Sequence, residues 1–202
     1  MQATHVLKRA TSVAICVSAA APWLAGPAQA ALQDRDLDGN GQVDAFYDTD
    51  LDITWLRDAN VNGAMDWDTA VAWADGYSFG GYSDWRLPTS DTICFGFGCT
   101  ASEMGHLWHT ELGNVAGAPM TNVGGFLNLS DADYWSGTEF PDSSSAMNFY
   151  TGTGYQAYTT KTHMFLAFAV HEGDVAVVPE PHTFALLGLG LAALVLARRS
   201  PR

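Results

Sequence analysis

An acidic stretch near residue 40 has the residue types and spacing best suited to chemistry. Residues 34–44 read Asp-Arg-Asp-Leu-Asp-Gly-Asn-Gly-Gln-Val-Asp, so carboxylates alternate with other residues, and glycines allow a tight turn. Oxygen-rich loops of this kind bind Ca²⁺. When the positions of the calcium loop are counted from Asp36, Gly41 stands at the position where such loops turn sharply. The predicted ligands are four side chains and one backbone carbonyl: Asp36, Asp38, Asn40, Gln42 through its carbonyl, and Asp44.

This loop departs from the complete calcium motif at its twelfth position. Tyr47 stands where a bidentate acid is expected, and Asp48 comes one residue too late. Two interpretations therefore stay open. One is a weak calcium site, which millimolar extracellular calcium would fill, and the other is a solvated acidic turn.

Two cysteines form the next candidate pair. Cys94 and Cys99 are five positions apart, and Gly96 and Gly98 between them permit a tight loop. A zinc site needs about four ligands, and no second Cys/His cluster stands nearby. The spacing favours a disulfide over a metal pair.

Three polar residues at three-residue spacing, Glu103, His106 and His109, could converge on a metal from one helix face. That face is opposite the apolar residues Met104 and Leu107, so a solvated polar stripe is the favoured prediction.

Arg86, one of few cations, is expected to form a bidentate bridge with a carboxylate. A role in ligand binding is the alternative.

Enzymatic motifs are not evident in the sequence. It contains no Gly-x-Ser-x-Gly, no His-Glu-x-x-His and no phosphate-binding loop. A non-catalytic protein is therefore predicted. Aromatic residues are abundant, at 12% of the chain, and most of them should lie in a core. The tyrosines expected to be exposed stand among Gly and Thr residues: Tyr150, Tyr155 and Tyr158.

The elements that must position these residues follow from periodicity and capping. A strand is predicted over Ala45 to Leu56, and a helix over Trp67 to Asp75 begins among carboxylates that suit its dipole. A second helix is predicted over Ser102 to Leu112, with Ser102 or Thr100 as its cap. Short strand-like runs follow at 146–150 and 164–171. Early helices and later strands with long loops predict an α+β domain.

The charge balance excludes whole classes of partner. The 202-residue chain has a formal net charge of −13 and a pI near 4.5. Between residues 31 and 178 only four cations face 21 acidic residues. Nucleic acids, anionic polymers and anionic lipid surfaces are therefore not expected as partners.

Both ends of the chain are typical of targeting segments. Lys8 and Arg9 precede an apolar run and a Pro-Ala-Gln-Ala sequence ending at Ala30, which predicts a signal peptide over residues 1–30. The C-terminal segment, residues 179–202, contains a Pro-Glu-Pro triplet, a 14-residue apolar stretch and an Arg pair. That stretch is shorter than the usual transmembrane span of about 20 residues. The triplet consists of Pro179, Glu180 and Pro181.

This C-terminal arrangement resembles the PEP-CTERM sorting signal of Gram-negative bacteria. The resemblance implies export and processing by an exosortase, with the apolar stretch as a transient transmembrane helix in the inner membrane. The exported protein would then reside in the cell envelope, at the cell surface or in the extracellular matrix.

Several motifs between residues 45 and 172 resemble the Lcl C-terminal-like domain. The stretches that carry the resemblance are Asp48–Leu56, Gly80–Thr89 with its Trp-Arg-Leu-Pro-Thr sequence, Ser102–Leu107 and Tyr134–Gly137. The family is similar to the C-type lectin fold and recurs in secreted and surface proteins. The resemblance implies that residues 31–178 form a C-type-lectin-like domain, with two helices on short antiparallel strands and long loops.

Three functions are consistent with these features. The favoured one is a non-catalytic recognition or adhesion module for glycan or protein in the extracellular matrix, with calcium as its expected ion. The alternatives are a structural protein of an exopolysaccharide or biofilm matrix, and an enzyme of the formylglycine-generating type, which shares the fold. That enzyme class needs a reactive cysteine pair late in the domain, whereas both cysteines here are early.

Overall fold

Two four-stranded antiparallel sheets dominate the computed structural model, which describes residues 32–175. Short helical segments and long loops join them, so the described part of the chain is an α+β structure rich in sheet, as predicted. The predicted signal peptide and sorting segment lie outside the described residues. Within 32–175, no helix has both the length and the apolar character to cross a membrane.

The first sheet has the strand order β1-β2-β3-β8 and joins the beginning of the described chain to its end. Its strands are β1 (Leu32–Arg35), β2 (Ala45–Asp48), β3 (Ile53–Leu56) and β8 (Val170–Glu172). The acidic stretch forms the β1–β2 connection. Trp55 faces Phe46 on one side and Val170 on the other in the strand register.

The single strand predicted over Ala45 to Leu56 is wrong, because the chain turns back between β2 and β3. The Asp48 carboxylate accepts hydrogen bonds from the backbone N–H groups of Asp50 (3.0 Å) and Leu51 (3.1 Å). Asp52 then takes a left-handed conformation with φ of 54°. An aspartate that bonds the backbone ahead of it is a typical turn former.

The second sheet has the order β4-β7-β6-β5. Its strands are β4 (Gly96–Phe97), β5 (Asp133–Glu139), β6 (Ser145–Tyr150) and β7 (Tyr155–Thr160). The strand predicted at 146–150 is confirmed, whereas the run at 164–171 contributes only the start of β8 and isolated bridges at Phe165 and Leu166. Those two residues instead link the core to Met65 and Tyr134.

Helix α1 (Trp67–Gly76) begins as predicted. Asp66 precedes it, and its carboxylate accepts a hydrogen bond from the Thr69 N–H at 2.9 Å, which caps the helix. Ala70 and Ala74 are fully buried and pack with Trp135.

The second helical segment differs from a regular helix. Helix α2 (Glu103–His106) is followed by one π-helical turn, Leu107–Glu111, in which the Leu112 N–H donates to the Leu107 carbonyl at 2.9 Å. Ser102 occupies the N-cap position, but its hydroxyl makes no cap bond and accepts one from the Asp91 N–H instead. The predicted position is confirmed, and the predicted cap is wrong.

The main hydrophobic core lies between the first sheet, the helical segment and the hairpin of the second sheet. Trp55, Trp108 and Phe168 are fully buried in it, and Trp85 and Trp135 fill two smaller clusters beside it. Most tryptophans are therefore core residues, as expected.

Candidate functional site

The acidic loop, residues Asp36 to Asp44, folds around its own carboxylates. Asp36 accepts hydrogen bonds from the backbone N–H groups of Gly39 and Gly41, both at 2.7 Å. Gly39 and Gly41 have φ of 76° and 84°, which favour glycine. Carboxylate oxygens of Asp36, Asp38 and Asp44 lie within 4.8 Å of one another. The loop thus brings together three of the five predicted calcium ligands.

Of the other two predicted ligands, Asn40 makes hydrogen bonds within the loop. The Asn40 side chain donates to Asp38 at 3.0 Å and accepts from the Gln42 N–H at 2.8 Å. The backbone N–H bonds to Asp36, led by that of Gly41, lower the pKa of its carboxyl. Asp36 is therefore held as an anion.

A second group of potential ligands, absent from the predictions, lies at the β2–β3 turn. We call Asp48, His106 and Glu111 the carboxylate cluster, because one ligand atom from each lies within 4.8 Å of the others. Asp48 ends β2, His106 directly precedes the π turn, and Glu111 is the last residue of that turn. The His106 Nε2 atom is 3.1 Å from Glu111 Oε1 and 4.0 Å from a carboxylate oxygen of Asp50.

The Glu111 side chain is 1% exposed, and its Oε2 atom has no hydrogen-bond partner. Asp48 is completely buried. Burial raises the pKa of Glu111, the negative charge of Asp48 raises it further, and the hydrogen bond with His106 opposes both effects. Two carboxylates therefore share a buried space with a single imidazole.

Convergence of Glu103, His106 and His109 on a metal, the less favoured of the two interpretations, does not occur. Glu103 binds Arg86, His106 binds Glu111, and His109 packs its ring at 4.6 Å from that of Trp108. The favoured alternative, a solvated stripe, is also wrong, because all three residues are partly buried. Burial lowers the pKa of His109, and its Nε2 atom is buried without a partner.

Arg86 forms the predicted carboxylate bridge. Its Nη1 and Nη2 atoms donate to the two oxygens of Glu103 at 2.7 and 2.8 Å, and its Nε donates to Glu172 at 2.7 Å. Burial disfavours the charged guanidinium, but the bonds to the two glutamates outweigh it and raise the pKa of Arg86. The bridge ties the segment before helix α2 to β8.

A cleft of about 370 Å³ opens beside Arg86. Trp67 and Val71 of α1 form one wall, and Trp85 and Leu87 form another. Since all three guanidinium nitrogens of Arg86 already donate within the protein, its position favours the structural role over ligand binding.

The predicted disulfide is confirmed, since Cys94 and Cys99 are bonded with their Cα atoms 5.7 Å apart. The closed loop carries β4, which pairs with β7 so that Phe97 faces Tyr155. The buried Gln156 side chain donates to the carbonyls of Asp91 (2.9 Å) and Cys94 (2.8 Å). A covalent bond and a buried amide therefore both hold this loop on the sheet.

The loop and β7 together present exposed aromatic rings. We call Phe95, Phe97, Phe140, Tyr155 and Tyr158 the aromatic platform. Its rings contact one another in two groups, Phe95 with Phe140 and Tyr158, and Phe97 with Tyr155. Because Tyr155 and Tyr158 are three positions apart on β7, the two groups lie on opposite faces of that strand. Four of these residues are 41–52% exposed, and Phe140 is half-buried. Phe140 and Tyr158 are stacked at 3.9 Å with parallel rings, and Phe97 meets Tyr155 edge-on at 5.0 Å.

Charged residues are missing from both stretches that carry most of the platform. Residues 92–100 and 143–160 contain no Asp, Glu, Lys or Arg, although the chain as a whole has a net charge of −13. The predicted exposure of Tyr155 and Tyr158 agrees with the structure, whereas Tyr150 is only half-exposed. The sequence signal for Phe95 and Phe97 is the small disulfide loop, whose interior cannot bury two large rings.

The comparisons with protein families match two parts of the chain. The profile of the Lcl C-terminal domain matches residues 44–171, which is more than half of the chain. The PEP-CTERM protein-sorting motif matches residues 177–200. Both predicted resemblances are confirmed. The sorting motif indicates exosortase processing and export to the cell envelope or surface of a Gram-negative bacterium. Among curated proteins, no match was found.

Proposed function

From the premise that this chain belongs to the Lcl C-terminal domain family and carries a PEP-CTERM sorting motif, we propose that it is a surface-displayed, non-catalytic recognition module. Its ligand is a neutral glycan of the extracellular matrix, bound on the aromatic platform. The observation that carries the proposal is the exposure of four large rings, in two contacting groups, on two stretches of the second sheet that contain no charged residue.

Aromatic faces suit sugar rings because the C–H groups on one face of a sugar ring form an apolar surface, and the tyrosine hydroxyls add polar contacts at the edge. Clustered exposed apolar side chains often mark an interaction site, and Phe95, Phe140 and Tyr158 form such a cluster. The platform is also preorganised, since the disulfide and Gln156 fix the loop before any ligand arrives.

Charge supports a neutral ligand over an anionic one. The 21 acidic residues between positions 31 and 178 create a negative field that repels acidic polysaccharides and nucleic acids. An uncharged ligand is not repelled by this field, and it needs no ionic partner on the platform.

The proposed architecture is a C-type-lectin-like domain. Its supports are the pairing of an early strand with the last one, β3 with β8, and the two short helices between antiparallel strands. The disulfide supports a non-catalytic role over the formylglycine-generating alternative, because that chemistry needs a reactive cysteine and both cysteines of residues 32–175 are bonded to each other.

An array of neutral glycans, acidic glycans and matrix proteins tests the proposal. We expect the exported protein to bind neutral glycans, and Tyr158→Ala or Phe95→Ala, which remove two rings of one contacting group, to reduce that binding about two- to tenfold. The reason is that an aromatic contact contributes about 0.5–1.5 kcal/mol beyond its buried area. Leu127→Ala removes an exposed apolar side chain outside the platform and should change nothing.

Two other outcomes have definite meanings. Binding only to matrix proteins, with the same loss in the platform variants, would replace the glycan by a protein partner. If the protein binds no component of the array, the alternative function, a structural protein of the matrix, would be favoured.

Calcium in the acidic loop is a second part of the proposal. The convergence of three carboxylates on one small space favours it, because a divalent cation would relieve their repulsion. We expect millimolar CaCl₂ to raise the melting temperature of the exported protein by a few degrees, since a ligand of the folded state stabilises it. Asp38→Asn should abolish the shift, and the control Glu139→Gln should keep it. An identical melting temperature in calcium and in chelator would contradict the proposal.

A further inference from the structure

The carboxylate cluster is the candidate that the proposed function leaves unexplained. It is separate from the acidic loop, and it combines two carboxylates with an imidazole. Asp50 stands at its edge, half-exposed, with a carboxylate oxygen 4.0 Å from His106 Nε2. Three acidic side chains therefore surround one histidine, and the described residues place no Lys or Arg in contact with the cluster.

The π turn is what brings two of the three ligands together. His106 and Glu111 are five positions apart, and such residues point in different directions on a regular α-helix. The turn from Leu107 to Glu111 follows the i to i+5 pattern, which aligns them on one face. Such turns are rare, and they occur frequently at functional sites.

The Glu111 side chain gives an independent indication of a ligand. It is 1% exposed, and its Oε2 atom is buried without a hydrogen-bond partner. A buried and unpaired carboxylate oxygen carries a large desolvation cost. A bound cation next to it would remove that cost.

From this geometry we infer that Asp48, His106 and Glu111 form a binding site for a divalent transition-metal ion of the zinc class. One imidazole with two carboxylates is a donor set that suits zinc, whereas calcium prefers oxygen ligands alone. Bonds of about 2.0–2.2 Å require ligand atoms within about 4 Å of one another. Small side-chain rotations from the present separations, all within 4.8 Å, meet that requirement.

An exposed carboxylate beside the cluster offers a fourth ligand. The Asp50 side chain is 53% exposed, and one of its oxygens is 4.0 Å from His106 Nε2. Asp50 or water completes the coordination. The Asp48 carboxylate is fixed in place by the hydrogen bonds that it accepts from the backbone N–H groups of Asp50 and Leu51.

Isothermal titration calorimetry with ZnCl₂ tests the inference on the exported protein, stripped with chelator and held in millimolar CaCl₂ to saturate the acidic loop. We expect one zinc ion per chain. Glu111→Gln and His106→Gln should weaken the affinity more than about tenfold. Glu139→Gln, which changes a surface carboxylate paired with Lys161, should bind zinc as the wild type does. Absence of stoichiometric binding, or equal affinity in all variants, would overturn the inference.

A measurement on the unmodified protein covers the case in which a variant fails to fold. In nitrogen-15 NMR spectra of the imidazoles, zinc should shift the ring signals of His106 and leave those of His163 and His171 unchanged. A shift at another histidine without one at His106 would overturn the inference. Because the platform is not involved, loss of glycan binding and loss of zinc binding are separate results.

Discussion

The two sheets of this protein carry surfaces of opposite character. The first sheet ends in the acidic loop and the carboxylate cluster, where at least five carboxylates lie in two small groups. The second sheet carries the aromatic platform, whose two main stretches have no charged residue. A net charge of −13 is therefore distributed very unevenly. The difference teaches that two groups of carboxylates converge where a cation could be held, whereas the two main stretches of the platform contain no charge.

The two regions are also held in place by different interactions. The platform depends on a disulfide, strand pairing and the buried Gln156 amide, none of which involves a charge. The carboxylate cluster depends on a turn that Asp48 nucleates and on a π turn that presents Glu111. Packing should therefore control the stability of the platform, and bound ions that of the cluster.

The largest expected effect tests the packing of the second sheet. Gly154, at the β6–β7 turn, has φ of 73°, and a Cβ there would overlap the Trp108 ring and lie 2.9 Å from His109. We expect Gly154→Ala to lower the free energy of unfolding by about 3 kcal/mol, from the combined cost of conformation and overpacking.

Gly173, next to β8, provides the matched control. It has φ of 70°, and a Cβ added there would meet no atom within 4 Å, so Gly173→Ala should cost only about 1 kcal/mol. Urea denaturation of both variants measures the difference. Equal losses would mean that the turn at Gly154 is not as closely packed as described.

The next effect tests the covalent support of the platform. Replacing both Cys94 and Cys99 by Ser opens a short loop, and the chain-entropy relation gives a loss of about 2 kcal/mol in unfolding free energy. Denaturation with and without a reducing agent measures it, since reduction of the wild type should reproduce the loss. Glycan binding should weaken in parallel, whereas zinc binding should not. An unchanged stability after full reduction would contradict the assigned role of the disulfide.

The smallest effect is a pH dependence at the boundary between the two regions. Burial lowers the pKa of His109 below its ordinary value of 6.5, so the unfolded state binds more protons at mildly acidic pH. The stability that His109 contributes is present above that value and decreases as the pH falls through it. When denaturation is measured at about pH 7.5 and at about pH 5.5, the free energy of unfolding should decrease less for His109→Gln than for the wild type. An equal or larger decrease in the free energy of unfolding for His109→Gln would contradict His109 as the source of this pH dependence.

The elements set by local interactions can be predicted from the sequence. Helix α1 has a capping aspartate and a face of alanines. Cys94 and Cys99 are so close in sequence that few arrangements other than a disulfide loop are open to them. Glycine positions and acidic spacing predict the turn that gathers Asp36, Asp38 and Asp44.

The other features of the fold and of the site depend on tertiary contacts, which the periodicity of the sequence does not reveal. The run from Ala45 to Leu56 lacks glycine and proline, so its pattern predicts one strand. The turn between β2 and β3 is not predicted, because it depends on hydrogen bonds to the Asp48 carboxylate. The π turn preserves the apolar pattern of a helix while it rotates Glu111 toward His106, so the pattern does not reveal the carboxylate cluster. Glu172, a partner of Arg86, is 86 positions away.

One paired measurement tests most directly whether the platform is the recognition surface. The exported wild type, Tyr158→Ala and Glu111→Gln are compared by affinity electrophoresis through gels that contain the neutral polysaccharide best bound in the array. We expect retardation of the wild type and of Glu111→Gln, and its loss in Tyr158→Ala. Retardation of Tyr158→Ala equal to that of the wild type, with loss in Glu111→Gln, would place recognition at the carboxylate cluster and contradict the proposed function.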